Sequence, residues 1–170
     1  MGIALKDGMQ IDQFQMEVER AVHIHCQLLK ELSGERGPEG LCNVLWQDIR
    51  MPLFVFSADG ELLFSSQNLK DTDNSEVHSS GISSELHTDL SDSINKGNYK
   101  DALPNRSNIV RVSGNTFLCI PMYAEKECLA YMFIDCTTGE LSNSDIFIVE
   151  NAAVMIALKT LQLQSTKNQE

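Results

Sequence analysis

The stretch Leu118-Cys-Ile-Pro-Met-Tyr-Ala124, followed by Cys128-Leu-Ala-Tyr-Met-Phe-Ile-Asp135 and then by Leu141-Ser-Asn-Ser-Asp-Ile146 leading into Ala152-Ala-Val-Met-Ile-Ala-Leu158, decides the fold. It reads as strand, tight turn at Glu125-Lys126, strand, loop and helix. Ser142 and Asp145 have capping-box spacing, with Leu141 and Ile146 where a hydrophobic staple would stand, so the last helix has a well-marked start.

Working outward, two more hairpins follow from turn chemistry. Asp59-Gly60 joins Leu53–Ser57 to Leu62–Ser65, and Ser113-Gly114-Asn115 joins 109–112 to 117–122. The expected sheet is antiparallel, with five or six strands. Before it, Ile11, Phe14, Val18, Ala21, Val22, Leu28, Leu29 and Leu32 fall on one stripe of an amphipathic first helix. Gly34 and Gly37 end that helix, Pro38 opens a second, and Leu41, Val44, Leu45 and Ile49 give the second its buried face. The final helix carries two stripes. Ile146, Val149, Ala153, Ile156, Thr160 and Leu163 line one, and Phe147, Val154, Leu158 and Leu161 line the other. The second stripe packs either on the amino-terminal helices or on a second subunit.

Regular pairing of the last three strands sorts their side chains onto two faces. One holds Val110, Val112, Phe117, Cys119, Pro121, Tyr123, Cys128, Ala130, Met132 and Ile134. The other holds Ile109, Arg111, Leu118, Ile120, Met122, Leu129, Tyr131, Phe133 and Asp135. Both are mainly apolar, so both need a cover. Helices supply one, and the polar segment from Ser65 to Ser107 supplies the other. Within that segment Leu86, Leu90 and Ile94, stopped by Gly97, predict a short helix, preceded by a mobile stretch from Gln67 to Ser80.

The closing order of strands and helix, together with Met51-Pro-Leu-Phe-Val-Phe-Ser-Ala-Asp-Gly-Glu-Leu-Leu-Phe-Ser-Ser66, resembles a GAF-type sensor domain. Within that superfamily it is most similar to the sensor of PucR/CdaR-type bacterial transcriptional regulators. The two matches cover roughly half the chain, as a pattern and not as a catalytic signature. The resemblance implies an α+β, GAF-like domain over residues 51–170, preceded by packing or dimerisation helices over 1–50. It also implies a small-molecule sensor with no cofactor, whose helix-turn-helix output domain lies outside this chain. Such domains hold a ligand between the sheet and an irregular cap, which singles out Arg111, Tyr131 and Phe133 on the sheet with His87 and Tyr99 on the cap. Arg111 suits a carboxylate, or alternatively a salt bridge to Asp135 or a solvent-facing edge position. The effectors implied are amino acids, ureides, purines or sugar acids. A homodimer is expected through Val18, Val22, Phe147, Val154, Leu158 and Leu161. The alternative is a dimerisation or interaction module of the same fold without a ligand.

Composition narrows the rest. The 170 residues are 42% hydrophobic with a net charge of −11, enough for one core and unfavourable for direct contact with DNA. No basic cluster offsets the charge, and any DNA contact would pass through the missing output domain. No secretory leader and no membrane span is expected, so the cytoplasm is the default. Cys26, Cys42, Cys119, Cys128 and Cys136 lack Cys-x-x-Cys spacing and read as buried thiols in a reducing compartment. His23 and His25 point to different sides of a helix, which disfavours a shared metal, and His25 on the apolar stripe suits a buried or interface position. His78 and His87 fall in the cap. No phosphate loop, His-Glu-x-x-His or Gly-x-Ser-x-Gly motif is present, so no enzyme activity is expected.

Overall fold

A computed structural model describes residues 2–66 and 83–169, with side chains described over 12–66 and 83–163. Among these residues the order is α1 (Gly2–Leu32), α2 (Pro38–Ile49), β1 (Leu53–Ser57), β2 (Leu62–Ser65), α3 (Ser84–Asn95), β3 (Asn108–Val112), β4 (Asn115–Ala124), β5 (Glu127–Asp135) and α4 (Asn143–Gln169). The architecture is α+β. The strands form one open antiparallel sheet in the order β2-β1-β5-β4-β3. The stretch expected to be mobile, with His78, lies outside the described residues.

Turn chemistry sets the hairpins. Gly60 (φ 89°), Ser113 (φ 54°), Gly114 (φ 79°) and Glu125 (φ 59°) take left-handed conformations at the three expected turns. Pro38 opens α2, and Arg50 ends it with φ 57° while its N–H donates to Trp46 O and its guanidinium lies 4.8 Å over the Trp46 ring. Ser142 Oγ accepts the Asp145 N–H at 3.1 Å, and the Asp145 carboxylate accepts the Ser142 N–H at 2.9 Å. This reciprocal pair is the capping box that starts α4.

One irregularity reverses part of the expected face assignment. From the β4–β5 turn the pairs run Ala124 with Glu127 and Tyr123 with Cys128, and then jump to Met122 with Ala130. Leu129 is the extra residue of a bulge, so every later β5 side chain changes face relative to regular pairing. Tyr131 and Phe133 therefore share a face with Phe117 and Cys119, while Met132 and Ile134 join Leu118, Ile120 and Met122. β3 keeps the expected register with β4, and Val110 and Val112 pack on the Phe133 side. Arg111 consequently points to the other side.

The two faces carry separate cores. On one, Leu53, Val55, Leu118, Ile120, Met132 and Ile134 meet α4, with α2 and α1 filling the layer. α4 lies on β4 and β5, whereas α1 packs mainly on α2 and α4, in place of the expected backing of the sheet by both terminal helices. Arg20 on α1 ties the helices together, its Nη2 lying 2.6 Å from both Asp48 of α2 and Asp145 of α4. Lys159 of α4, only 9% exposed, donates to the carbonyls of Leu32 at 3.0 Å and Gly34 at 2.8 Å, satisfying the C-terminal end of α1.

The apolar stripe of α1 divides. Ala21, Ile24, Leu28 and Leu32 turn inward, while Phe14, Val18, Val22 and Leu29 remain exposed. On α4, Phe147, Val154 and Leu158 are exposed, but Leu161 packs against the helix-side core, which corrects its place in the outer stripe. Asn143–Leu163 is long and apolar enough to match a membrane span, contrary to expectation, yet 44% of its apolar window is buried inside the fold. A helix that covers a sheet with one side and neighbouring helices with another needs that much apolar surface.

Candidate functional site

On the opposite face of the sheet the cover, among the described residues, is a helix of 12 residues and the turn segment behind it that carries Tyr99 and Ala102. Ser83 caps α3 by accepting the Leu86 N–H at 3.2 Å, and Leu90 and Ile94 turn inward. Two turns clamp the helix. A Cβ on Gly60 would come within 2.7 Å of Ser91 Oγ, so the β1–β2 turn presses directly on α3. The Ser113 hydroxyl, in the β3–β4 turn, donates to the Asp89 carboxylate.

Beneath α3 lies an aromatic cluster centred on Phe133, which is fully buried. Its ring meets Phe56 at 5.8 Å, Phe117 at 6.0 Å and Tyr99 at 5.6 Å, each nearly edge-on. Tyr99 also lies 5.7 Å from Tyr131, and His87 lies 5.6 Å from Phe56. Burial pushes the Tyr99 and Tyr131 hydroxyls above their ordinary pKa, the hydrogen bond with Cys128 pushing Tyr131 further, and burial raises the Cys119 thiol to about 12. All three stay neutral near pH 7. The cluster, an aromatic chamber filled by its own side chains, bears uncharged hydroxyl and thiol groups and one half-buried imidazole.

Four of the five residues singled out from sequence, Tyr131, Phe133, Tyr99 and His87, are brought together here. Arg111 is not. It pairs with Thr116, stands exposed on the opposite face of an edge strand and makes no ion pair with Asp135, whose carboxylate instead accepts from the N–H and hydroxyl of Thr137. Ser65 is the residue that sequence reasoning missed. It pairs with Phe54 on the chamber side, is 4% exposed, and its hydroxyl has no hydrogen-bond partner among the described residues. Buried hydroxyls are ordinarily satisfied, so an orphan at the margin of an aromatic cluster marks a place for a polar contact. Nothing in its sequence neighbourhood separates it from any other strand-end serine.

The residues expected at a dimer seam also converge. Val18 and Val22 of α1 and Phe147 of α4 line one groove of about 460 Å³ together with Phe14, and Val154 and Leu158 continue the exposed apolar surface along α4. His25, half-buried, contacts Asn151 of α4 at 2.7 Å, so it joins the two helices rather than facing a metal. Among the described residues no group of three or more His, Cys, Asp or Glu side chains is placed to hold a metal ion. The thiols form no disulfide there, and Cys26, expected to be buried, is exposed.

Among the described residues, fold and site together define a class: an α+β domain with an open five-stranded antiparallel sheet, layered helices on one face, and α3 with the turn behind it over aromatic residues on the other. No family model matches the chain, and no curated protein matches its sequence.

Proposed function

We propose that this chain is the effector-sensing domain of a transcriptional regulator, acting as a homodimer and reaching DNA only through an output domain outside the chain. The observation that carries the reading is the buried Ser65 hydroxyl, without a hydrogen-bond partner among the described residues, beside an aromatic cluster covered by one short helix and the turn segment that follows it. A ligand entering there would lift α3 instead of breaking the helix-side core. The chamber suits a small planar or amide-bearing molecule, which would stack on Tyr99, Tyr131 or Phe133 and bond to the hydroxyls. Ureides, purines, amino acids and sugar acids form the panel to try. The GAF-like sensor reading rests on the pattern in residues 51–66 and 118–158, and the aromatic cap site supports it.

A second reading is a dimerisation module without a ligand. It is favoured by the apolar groove in which Phe14 is 68% and Phe147 63% exposed, since apolar surface of that kind invites association. One set of samples tests both. A ligand at a hundred times its dissociation constant stabilises the native state by about 2.7 kcal/mol, which for a domain of this size raises the melting temperature by roughly 5–10 °C. Ser65→Ala and Tyr131→Phe should blunt that shift, while Arg111→Ala, on the far face, should respond like the parent. No shift across the panel, with a sedimenting dimer that Val18→Asp dissociates, would leave the second reading in its place.

A further inference from the structure

We infer that a second binding site lies on the helix-covered face, where α2, α4 and the β1–β2 hairpin diverge, and that it takes a small organic cation with an apolar body, an alkyl or aryl amine. The site is a cavity of about 320 Å³, separated by the sheet from the aromatic chamber and independent of its proposed function. That size is at the lower end for ligand pockets and equals the volume of about ten waters.

Val55, Phe64, Leu129 and Ile156 form its walls, and Cys42, 1% exposed, contributes to its buried side. Such walls offer water few hydrogen-bond partners, so an apolar body displaces it favourably. The polar groups at the edge differ in what they have left to give. The Thr160 hydroxyl donates to Ile156 O at 2.8 Å, and Ser57 Oγ accepts the N–H groups of Glu61 at 3.0 Å and Asp59 at 3.3 Å. Both are engaged within their own elements. Glu39, by contrast, exposed in the first turn of α2, has no hydrogen bond or ion pair among the described residues.

Two cations near it in the fold are committed elsewhere: Arg36 pairs with Glu31 at 3.2 Å, and Lys159 caps α1. An uncompensated carboxylate beside an apolar cavity selects a positive head group, and the chain's net charge of −11 disfavours an anion at the same place. Leu63, 53% exposed, stands among the lining residues where the cavity meets solvent.

The test is a titration of the full chain, methyl-labelled for NMR, with phenethylamine and with 3-phenylpropionate, its carboxylate counterpart. Phenethylamine should move the methyl signals of Val55, Leu129 and Ile156 saturably and leave the chamber residues Leu90 and Val112 unchanged, while 3-phenylpropionate binds more weakly. Glu39→Gln should weaken the amine by roughly two- to fivefold, the range of a solvent-exposed ion pair. Leu63→Trp, a substitution at an exposed strand position that the fold tolerates, should block both compounds. Equal binding of the two, no saturable shift at millimolar amine, or shifts confined to the chamber would overturn the inference. Saturable shifts on the helix-covered face leave the metabolite-dependent melts untouched, because the two sites lie on opposite faces.

Discussion

The two faces of the sheet are almost equally apolar, yet they are covered in different ways. On one, α4 lies on the central strands and is locked to α1 and α2 by Arg20 and Lys159, so the cover is a cross-linked layer. On the other, among the described residues, α3 and the turn segment carrying Tyr99 and Ala102 sit over a ring cluster, with α3 held by two turns. A cover that many elements share opens only when much of the molecule unfolds, whereas a single clamped helix opens locally. On that difference the helix face is expected to be the more stable layer and the cap the first to open.

The sharpest way to break this comparison uses two consecutive residues. Met132 and Phe133 are both fully buried and face opposite covers. Phe133→Ala should cost about 3–5 kcal/mol and Met132→Ala about 2–5 kcal/mol, read from urea unfolding. The informative quantity is hydrogen exchange in α3, which should accelerate selectively in Phe133→Ala. If both variants loosen α1, α2 and α4 alike, or if Phe133→Ala costs under about 1 kcal/mol, the faces are not distinct in the way described.

A smaller effect should follow from the clamp itself. Gly60 has φ 89°, and a side chain there would meet Ser91 of α3 as well as strain the turn. Gly60→Ala is expected to cost about 1–2 kcal/mol. Gly114 makes the control, because it has φ 79° but open space around it. Gly114→Ala carries only the backbone strain, so the excess at Gly60 measures the contact with α3. Equal costs at the two turns would show that the clamp does not bear on the helix.

What the sequence disclosed and what it hid divide along the same line between local and long-range causes. The turns at Asp59-Gly60 and Ser113-Gly114, the Pro38 start of α2 and the Ser142–Asp145 box depend on residues within a few positions of one another, and each was legible. The Leu129 bulge was not, because nothing in a run of apolar residues says where one of them is skipped, and a single skip moved Tyr131 and Phe133 away from Arg111. The ties of Arg20 to Asp48 and Asp145 join positions 28 and 125 residues apart, and one chain without relatives aligned offers no sign of such pairs. Of the four expected site residues that came together, His87 did so on a cap helix legible from Leu86, Leu90 and Ile94, whereas Tyr131 and Phe133 reached the cap side only through the bulge. The orphan Ser65 hydroxyl was invisible because being unpartnered is a property of the packed state alone.

The smallest expected effect concerns the scaffold face and has a definite pH dependence. Burial works against the Asp145 carboxylate, but the Ser142 N–H and the Arg20 guanidinium outweigh it and hold its pKa below the ordinary 3.8. A folded-state pKa below the unfolded one means that the ionised group stabilises the fold above about pH 4, and that this contribution disappears as pH falls through the depressed value. Asp145→Asn keeps an oxygen to accept the Ser142 N–H but loses the charge that meets Arg20, so it should cost about 0.5–1 kcal/mol at pH 7. The gap between parent and variant should narrow once the pH drops below 4, as the parent's carboxylate is protonated too. Urea midpoints for the two proteins at pH 7, 5, 4 and 3 measure that gap directly, and the other carboxylates cancel because both chains carry them. A gap that stays constant down to pH 3, or that widens, would mean that the charge at Asp145 does not help to tie α4 to α1, and the helix layer would then owe its cohesion to apolar packing, the Arg20–Asp48 pair, the His25–Asn151 contact and Lys159.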